Sequence, residues 1–224
     1  GIAHELNQPL SAIVNFANGC SRRIQRGIGE KKELLNAMDQ ISAQASRAGE
    51  IIKRLRSMVT RQQPVREDTD LNTLVSDVCA LVAHDRKKMN IAIELTLSGW
   101  PLLSRVDPIQ IEQVILNLMR NALDALQSQE PLRRHLQVRT GSVDSDTHFI
   151  SVEDNGKGIS PEDMAHLFDP FFSTKETGMG MGLSISQTII QEHNGKIRVE
   201  SFPGKGSLFS IELPSSKMGM ETQE

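Results

Sequence analysis

Three short patterns, in a fixed order along the chain, constrain the fold more than any other feature of this sequence. Asparagines recur at positions 117 and 121, Asp-Asn-Gly-Lys-Gly fills 154–158, and alternating glycines fill 178–182 ahead of Leu183. Each pattern alone is weak evidence, because a helix surface, a turn or a flexible loop would also explain it. Their order and spacing together predict a single pocket that binds ATP.

The composition bounds the class of protein. With 224 residues, 38% hydrophobic and 24% charged, the chain suits a soluble globular protein of one or two domains. No apolar run approaches the ~20 residues of a membrane helix, so we expect no direct membrane contact. The net charge of -3 predicts no nucleic-acid partner. Only Cys20 and Cys79 occur, which fits a cytoplasmic location, including that of the cytoplasmic part of a longer, membrane-anchored protein.

Residues 1–63 carry the periodicity of two long helices. Apolar residues recur at spacings of three and four from Ile2 to Ile24, and again from Leu34 to Met58, with glycines between the two runs. The pattern predicts an antiparallel helical hairpin. Because a hairpin of this size cannot enclose its own apolar stripes, we expect it to form a dimeric four-helix bundle with a second copy. Packing against the rest of the same chain is the alternative.

The remainder of the chain mixes short strands and helices without a regular βαβ rhythm. After a predicted linker at 64–69, this mixture of strands and helices favours an α/β sandwich with a mixed sheet and helices on one face. The fold class is thus α+β, with a helical domain at 1–66, an ATP-binding domain at 67–224 and a disordered tail after 214. The predicted helices cover 70–84, 107–128, 161–167 and 182–193, and the predicted strands cover 91–97, 136–140, 149–153, 196–201 and 208–213.

The helix around Asn117 is apolar nearly all round, which predicts burial. Gln113, Asn117 and Asn121 nevertheless recur every four residues and form one polar strip. Because an unpartnered buried amide costs about 1–3 kcal/mol, this strip must face water, a ligand or other polar groups. Amide oxygens suit Mg²⁺, a hard cation that bridges phosphates. A plain helix surface or internal hydrogen bonding would also explain the strip.

The Asp-Asn-Gly-Lys-Gly run follows the strand-like residues 149–153. Read alone it favours a hairpin turn, because Asn-Gly is a strong turn signal. In a pocket, Asp154 would accept a hydrogen bond from the adenine amino group. Gly156 and Gly158 would then let the backbone close against the base.

The alternating glycines at Gly178, Gly180 and Gly182 lead into a predicted helix. The spacing matches neither a dinucleotide-binding fingerprint nor a P-loop. A glycine loop that runs into a helix N-terminus can still present N–H groups to phosphates, and Lys175 would add charge. Among the nearby aromatic residues, Phe168, Phe171 and Phe172 are read either as core or as a latch for this loop, with core favoured.

Together these residues resemble the four boxes of the catalytic domain of sensor histidine kinases, in the gyrase and Hsp90-like ATPase superfamily. The resemblance covers about 107–213 and implies ATP as substrate, Mg²⁺ held by Asn117 and Asn121, and a mobile lid at 169–181. The ATP-binding residues that it implies are Asn117, Asn121, Asp154, Gly156, Gly158, Phe168, Lys175, Gly178, Gly180, Gly182 and Leu183.

The first residues, His-Glu-Leu-Asn-Gln-Pro-Leu at 4–10, are similar to the H box of the same family. This resemblance implies that His4 accepts the γ-phosphoryl group and passes it to an aspartate of a response regulator. Glu5 would polarise the imidazole, or else face the ATP-binding domain. Gln8 departs from the Thr or Asn that many relatives carry to position a water, which puts phosphatase activity in doubt.

Three other functions stay open at this stage. An ATPase of the gyrase or chaperone type would need a glutamate where Asn117 stands, and an amide cannot act as that base. A dimeric scaffold could bind nucleotide without turning it over. A protein-serine kinase could share the sandwich, but it would lack the helix of His4 and Glu5.

Overall fold

The computed structural model describes residues 2–28, 31–59, 64–83, 89, 91–127, 129–175 and 180–216. The chain divides into two compact units, Gly1–Gln63 and Pro64–Glu224. Each unit is described by itself.

The first unit is a helical hairpin, as the two apolar runs predict. Helix α1 covers Ile2–Gln25 and helix α2 covers Lys31–Val59. Gly27 takes a positive φ in the turn, and Arg23 Nη1 donates to Glu33 Oε2 at 2.5 Å across it. Many apolar side chains remain exposed on the hairpin, namely Leu10, Val14, Phe16, Ile24, Ile28, Leu35 and Met38.

The second unit mixes strands and helices. Its helices are α3 Leu71–Leu81, α4 Pro108–Leu126, α5 Pro161–His166 and α6 Gly182–Glu192, with a 3-10 turn at Pro131–Arg133. Its strands are β1 Glu67–Asp70, β2 Ala92–Thr96, β3 Leu103–Val106, β4 His135–Ser142, β5 Thr147–Asp154, β6 Lys196–Phe202 and β7 Gly206–Pro214.

The main sheet is mixed, which confirms the predicted sandwich. Its strand order is β2-β4-β5-β7-β6, with β2 parallel to β4 and every other pair antiparallel. Helix α4 contacts β4, β5 and β7, α6 contacts β6, and α3 packs against α4. Buried and less buried residues alternate along β4, so the helices cover one face of the sheet. The apolar core lies between the two layers.

Local signals explain where several helices begin. Asp107 accepts from the Gln110 N–H and Pro108 follows it, so α4 starts where the Asp-Pro pair predicts. Ser160 caps α5 in the same way by accepting from the Asp163 N–H. Among the described residues, no helix has both the length and the apolar character that crossing a membrane requires.

The predicted linker at 64–69 is wrong over its last three residues. Residues 67–70 form β1, which pairs antiparallel with β3 in a separate two-stranded sheet. Glu-Asp-Thr-Asp carries no apolar alternation, so nothing in its sequence signals a strand, and backbone pairing alone reveals it. The preceding residues are also held, because the Val65 N–H donates to Asp107 Oδ2 at 3.0 Å and Arg66 donates to the Glu192 carbonyl. Residues 217–224 of the expected tail lie outside the described residues.

Candidate functional site

The first part of the site is the contact between α4 and the start of α6. Asn117 Nδ2 donates to Ser186 Oγ at 3.0 Å, and Ser186 Oγ donates to the Gly182 carbonyl at 2.9 Å. A Cβ at position 182 would overlap Asn117 Oδ1 and lie 3.0 Å from Asn117 Cγ. Only glycine therefore lets the helix begin directly on the Asn117 amide.

One turn further along α4, Asn121 faces a lysine from the loop before α6. Lys175 Nζ donates to Asn121 Oδ1 at 3.1 Å and to Asp124 Oδ2 at 2.7 Å. The two acceptors lie three residues apart, on one side of the helix. Oxygens of an amide and a carboxylate thus converge on a single cation.

Asp154 ends β5 and is the buried acid of the site, with 5% of its surface exposed. Its Oδ1 accepts from the Gly156 N–H at 2.8 Å. Burial raises the pKa of this carboxyl to about 6, against the opposing effect of the Gly156 and Ser207 N–H groups, while the nearby Glu153 charge raises it further. A buried carboxyl of this kind suits a ligand that donates a hydrogen bond.

The glycines that follow Asp154 bring this turn against neighbouring backbone. A Cβ at Gly156 would lie 2.8 Å from the Ala125 carbonyl group in α4, so the turn packs on the same helix as Asn117 and Asn121. Gly158 has φ +69 and faces the Phe202 carbonyl. Asn155 is structural, since its Oδ1 accepts from the His135 N–H at 2.9 Å and its Nδ2 donates to the Arg133 carbonyl at 2.6 Å.

The segment before α6 packs on its own aromatic residues. Gly180 has φ +65, and a Cβ there would overlap the Phe172 carbonyl. Phe171 itself takes a φ of 70, which strains a residue with a side chain. Leu183 packs against the core from the first turn of α6. Gly178 lies outside the described residues.

The favoured interpretation of the three phenylalanines as core is wrong. Phe168 and Phe172 are half-buried and Phe171 is 46% exposed, and none of them belongs to the buried apolar cluster. The Phe172 ring lies 5.7 Å from the His166 ring, and His166 Nδ1 contacts Asp169 Oδ2 at 2.8 Å. Leu167, which precedes Phe168 in the chain, packs against the core instead.

The acceptor residues predicted from the sequence lie near the start of α1. His4 and Glu5 are part of the helix, and their side chains fall outside the described part of the structure. Gln8 lies one turn after His4 and is exposed. Pro9 lies inside the same helix.

Two of the predicted residues, Asn117 and Asn121, lie on α4. Lys175, Gly156 and Gly182 contact this helix or its side chains, so the structure brings all five together.

Two residues of this cluster, Asp124 and Ser186, are not among those predicted from the sequence. Asp124 extends the polar strip by three residues and could have been found from it. Ser186 carries no such signal, because a serine four residues into a helix reads as a surface position.

Two family models match separate parts of the chain. One, described as histidine kinase-, DNA gyrase B- and HSP90-like ATPase, matches residues 106–217, which include the whole of the site around α4. The other, the His Kinase A (phospho-acceptor) domain, matches residues 1–64. The chain belongs to the histidine kinase family. It has the domains of the transmitter region of a two-component sensor kinase.

Curated relatives agree with this assignment. The sensor protein FixL of Bradyrhizobium diazoefficiens is 38% identical over 96% of this chain, which corresponds to 42% of FixL. This histidine kinase chain spans less than half the length of each curated relative compared.

Solved histidine kinases share its fold. The Acinetobacter baumannii histidine kinase AdeS is 26% identical with a TM-score of 0.72, over 96% of this chain and 98% of AdeS. Histidine kinase ThkA, solved in complex with response regulator protein TrrA, is 27% identical with a TM-score of 0.76, over 96% of this chain and 60% of the solved chain.

Proposed function

We propose that this chain is an ATP-dependent protein histidine kinase. It transfers the γ-phosphoryl group of ATP to His4 and then to an aspartate of a response regulator. The single observation that carries the proposal is the polar strip of α4. Asn117 meets the start of α6, Asn121 meets Lys175, and the Asp154 turn packs on the same helix.

The chemistry of these side chains supports ATP as the substrate. The Asp154 carboxylate would accept the adenine amino group, which gives a charge-assisted hydrogen bond. Phosphates would meet the N–H groups at the start of α6 and the Lys175 ammonium. The glutamate that would activate water in a gyrase-type ATPase is absent at position 117, which favours transfer to a side chain over hydrolysis.

The donor set fits a magnesium ion, and Mg²⁺ is part of the proposal. Asn121 Oδ1 and Asp124 Oδ2 already share one cation, the Lys175 ammonium. Asn121 and Asn117 would hold the metal, whose charge would neutralise the phosphates when bound.

The transfer itself requires a nucleophile in line with the γ-phosphorus. A neutral imidazole nitrogen of His4 would form the N–P bond while the bond to the bridging oxygen breaks and ADP leaves. In the second step the N–P bond breaks and an aspartate oxygen of the regulator bonds to phosphorus. Glu5 would keep the imidazole oriented, and Gln8, one turn later, would set the rate at which water removes the phosphate from the regulator.

The proposed assembly is a homodimer built on residues 1–66, with residues 67–224 as the ATP-binding domain. The exposed apolar residues of the hairpin support this dimer. A response regulator is the proposed partner, because the related kinase ThkA has been solved with one. The reaction would take place in the cytoplasm, where ATP is available.

The test is uptake of label from γ-labelled ATP in the presence of Mg²⁺. The unaltered chain should become labelled, and Asn121→Ala should abolish the labelling while the helical content stays the same. Glu112→Gln, a charge-removing change on the opposite side of α4 from Asn121, should leave it intact. Labelling that survives Asn121→Ala would contradict the proposed site.

A further inference from the structure

Asp124 is an acid placed beside a site that is proposed to bind a triphosphate. Its Oδ2 accepts from Lys175 Nζ at 2.7 Å, while the same ammonium donates to Asn121 Oδ1 at 3.1 Å. The side chains of Lys175 and Asp124 are 38% and 46% exposed. Neither the sequence motifs nor the proposed transfer steps give this carboxylate a role.

Stabilisation of the fold does not account for the pair. An ion pair as exposed as this one contributes little to stability, because solvent screens the attraction and two side chains lose freedom. A bare carboxylate at this position would also repel phosphate. The contact with Lys175 neutralises it and at the same time fixes the end of a long side chain, whose free rotation opposes any binding event.

We propose that Asp124 is a positioning residue that holds the Lys175 ammonium beside Asn121, where it meets the terminal phosphate of ATP. The inference rests on the proposed function and deepens it. Because the ammonium has two acceptors, Lys175 can release Asn121 Oδ1 to another ligand and remain attached to Asp124. The carboxylate thereby keeps the lysine in the site, and recognition of the third phosphate depends on it.

The first experiment measures the position of Lys175 without nucleotide. The full chain is acetylated with an N-hydroxysuccinimide ester, and the rate at each lysine is read by peptide mass spectrometry. Asp124→Asn should raise the rate at Lys175 about threefold, the size expected for an exposed ion pair. The exposed Lys157 serves as an internal reference, and Asp124→Glu should keep Lys175 protected. An unchanged rate at Lys175 in Asp124→Asn would overturn the geometric basis of the proposal.

The second experiment compares the affinities for ATP and ADP, with Mg²⁺ and in a His4→Ala background so that ATP is not consumed. Asp124→Asn should reduce the preference for ATP over ADP about threefold or more, because the lysine is no longer held. Glu112→Gln, which removes a charge from α4 nine residues and therefore two and a half turns before Asn121, should not change the preference.

A charge exchange separates positioning from a merely structural role. Asp124→Lys alone places two cations together and should lower the preference for ATP. Combined with Lys175→Asp, it rebuilds the pair with the ammonium on α4 and should restore the preference to within about twofold of the unexchanged pair. A preference that rises or stays the same in Asp124→Asn would overturn the inference and leave the proposed function standing. Binding of neither nucleotide by the His4→Ala chain would overturn the proposed function itself.

Discussion

At the scale of single residues, the availability of the Asn117 amide depends on the absence of a side chain at position 182. The Gly182 backbone lies against Asn117 Oδ1, and Ser186 holds the other end of the same amide. An added methyl group has no space there, and the short Asn117 side chain would have to turn away. The face of Asn117 that is proposed to bind ATP would be lost while the helix remained intact.

Gly182→Ala should therefore weaken ATP binding by about tenfold or more, the effect of losing one hydrogen bond to a charged group. The free energy of unfolding should change by less than about 1 kcal/mol, since Ala suits a helix better than Gly does. Calorimetric titration with ATP and urea unfolding measure the two quantities. Gly99→Ala is the matched control, because nothing lies within 4 Å of a Cβ at that position. Equal ATP affinities for the two variants would contradict the packing argument.

The buried carboxyl of Asp154 should make ATP binding dependent on pH. Burial raises its pKa to about 6 in the free protein. If ATP binds to the ionised form, affinity is highest above pH 6 and falls as the pH drops through 6, by at most about tenfold per unit. Asp154→Asn removes this ionisation and should bind more weakly at pH 8 with a flatter profile between pH 5 and 8. The difference between the two profiles cancels the titration of ATP itself, and parallel profiles would refute the role of Asp154.

At the scale of elements, the two ends of α6 make different contacts. Its first residues lie against Asn117, and its last turn is held by the buried His193. His193 Nδ1 donates to the Ile189 carbonyl at 2.8 Å, and its Nε2 accepts from the Asp107 N–H at 3.0 Å. The histidine thus joins the end of α6 to the start of α4, the helix that carries the polar strip.

His193→Ala should lower the free energy of unfolding by about 2–4 kcal/mol, because it leaves a cavity and an unpartnered N–H. Urea unfolding of the full chain, followed at the transition of the second unit, gives this value. His166→Ala, at an exposed position, should change it by less than about 0.5 kcal/mol. A small effect at His193 would mean that water replaces its contacts.

The elements that the sequence predicts well are those with strong local signals. Helix α4 begins at its Asp-Pro pair, and α6 ends at Glu192, shortly before Asn194 and Gly195, where Asn194 takes a φ of 57. Strand β1 could not be predicted, because its four polar residues depend on pairing with β3, which lies far away along the chain. Strands β4 and β5 extend further than predicted for the same reason.

The site shows the same division. Glycines and asparagines with repeated spacing could be singled out from the sequence as candidates, and the structure places several of them next to one another. The contacts between side chains could not be predicted, because Ser186 reaches Asn117 and Lys175 reaches Asp124 only through tertiary packing. The burial that raises the Asp154 pKa is likewise a property of the folded chain.

At the scale of the whole molecule, the hairpin carries more exposed apolar surface than a free monomer would favour. Leu35 is 51% exposed and Val14 is 55% exposed. A second copy would bury such residues and gain the corresponding hydrophobic free energy. Leu35→Glu should therefore weaken dimerisation at least about tenfold, as sedimentation velocity over a concentration series would show. Asn36→Glu, which adds the same charge at the neighbouring exposed position, is the control, and a monomeric unaltered chain would refute the proposed dimer.

In the proposed reaction, ATP bound on α4 would supply a phosphoryl group to His4, which lies in the other unit. The most direct measurement is the chemical stability and location of the label from γ-labelled ATP. We expect a label that acid removes and base does not, that is absent from His4→Ala and that remains in the control His166→Ala. An acid-stable label, or one that survives the loss of His4, would place the acceptor elsewhere and contradict phosphorylation of His4.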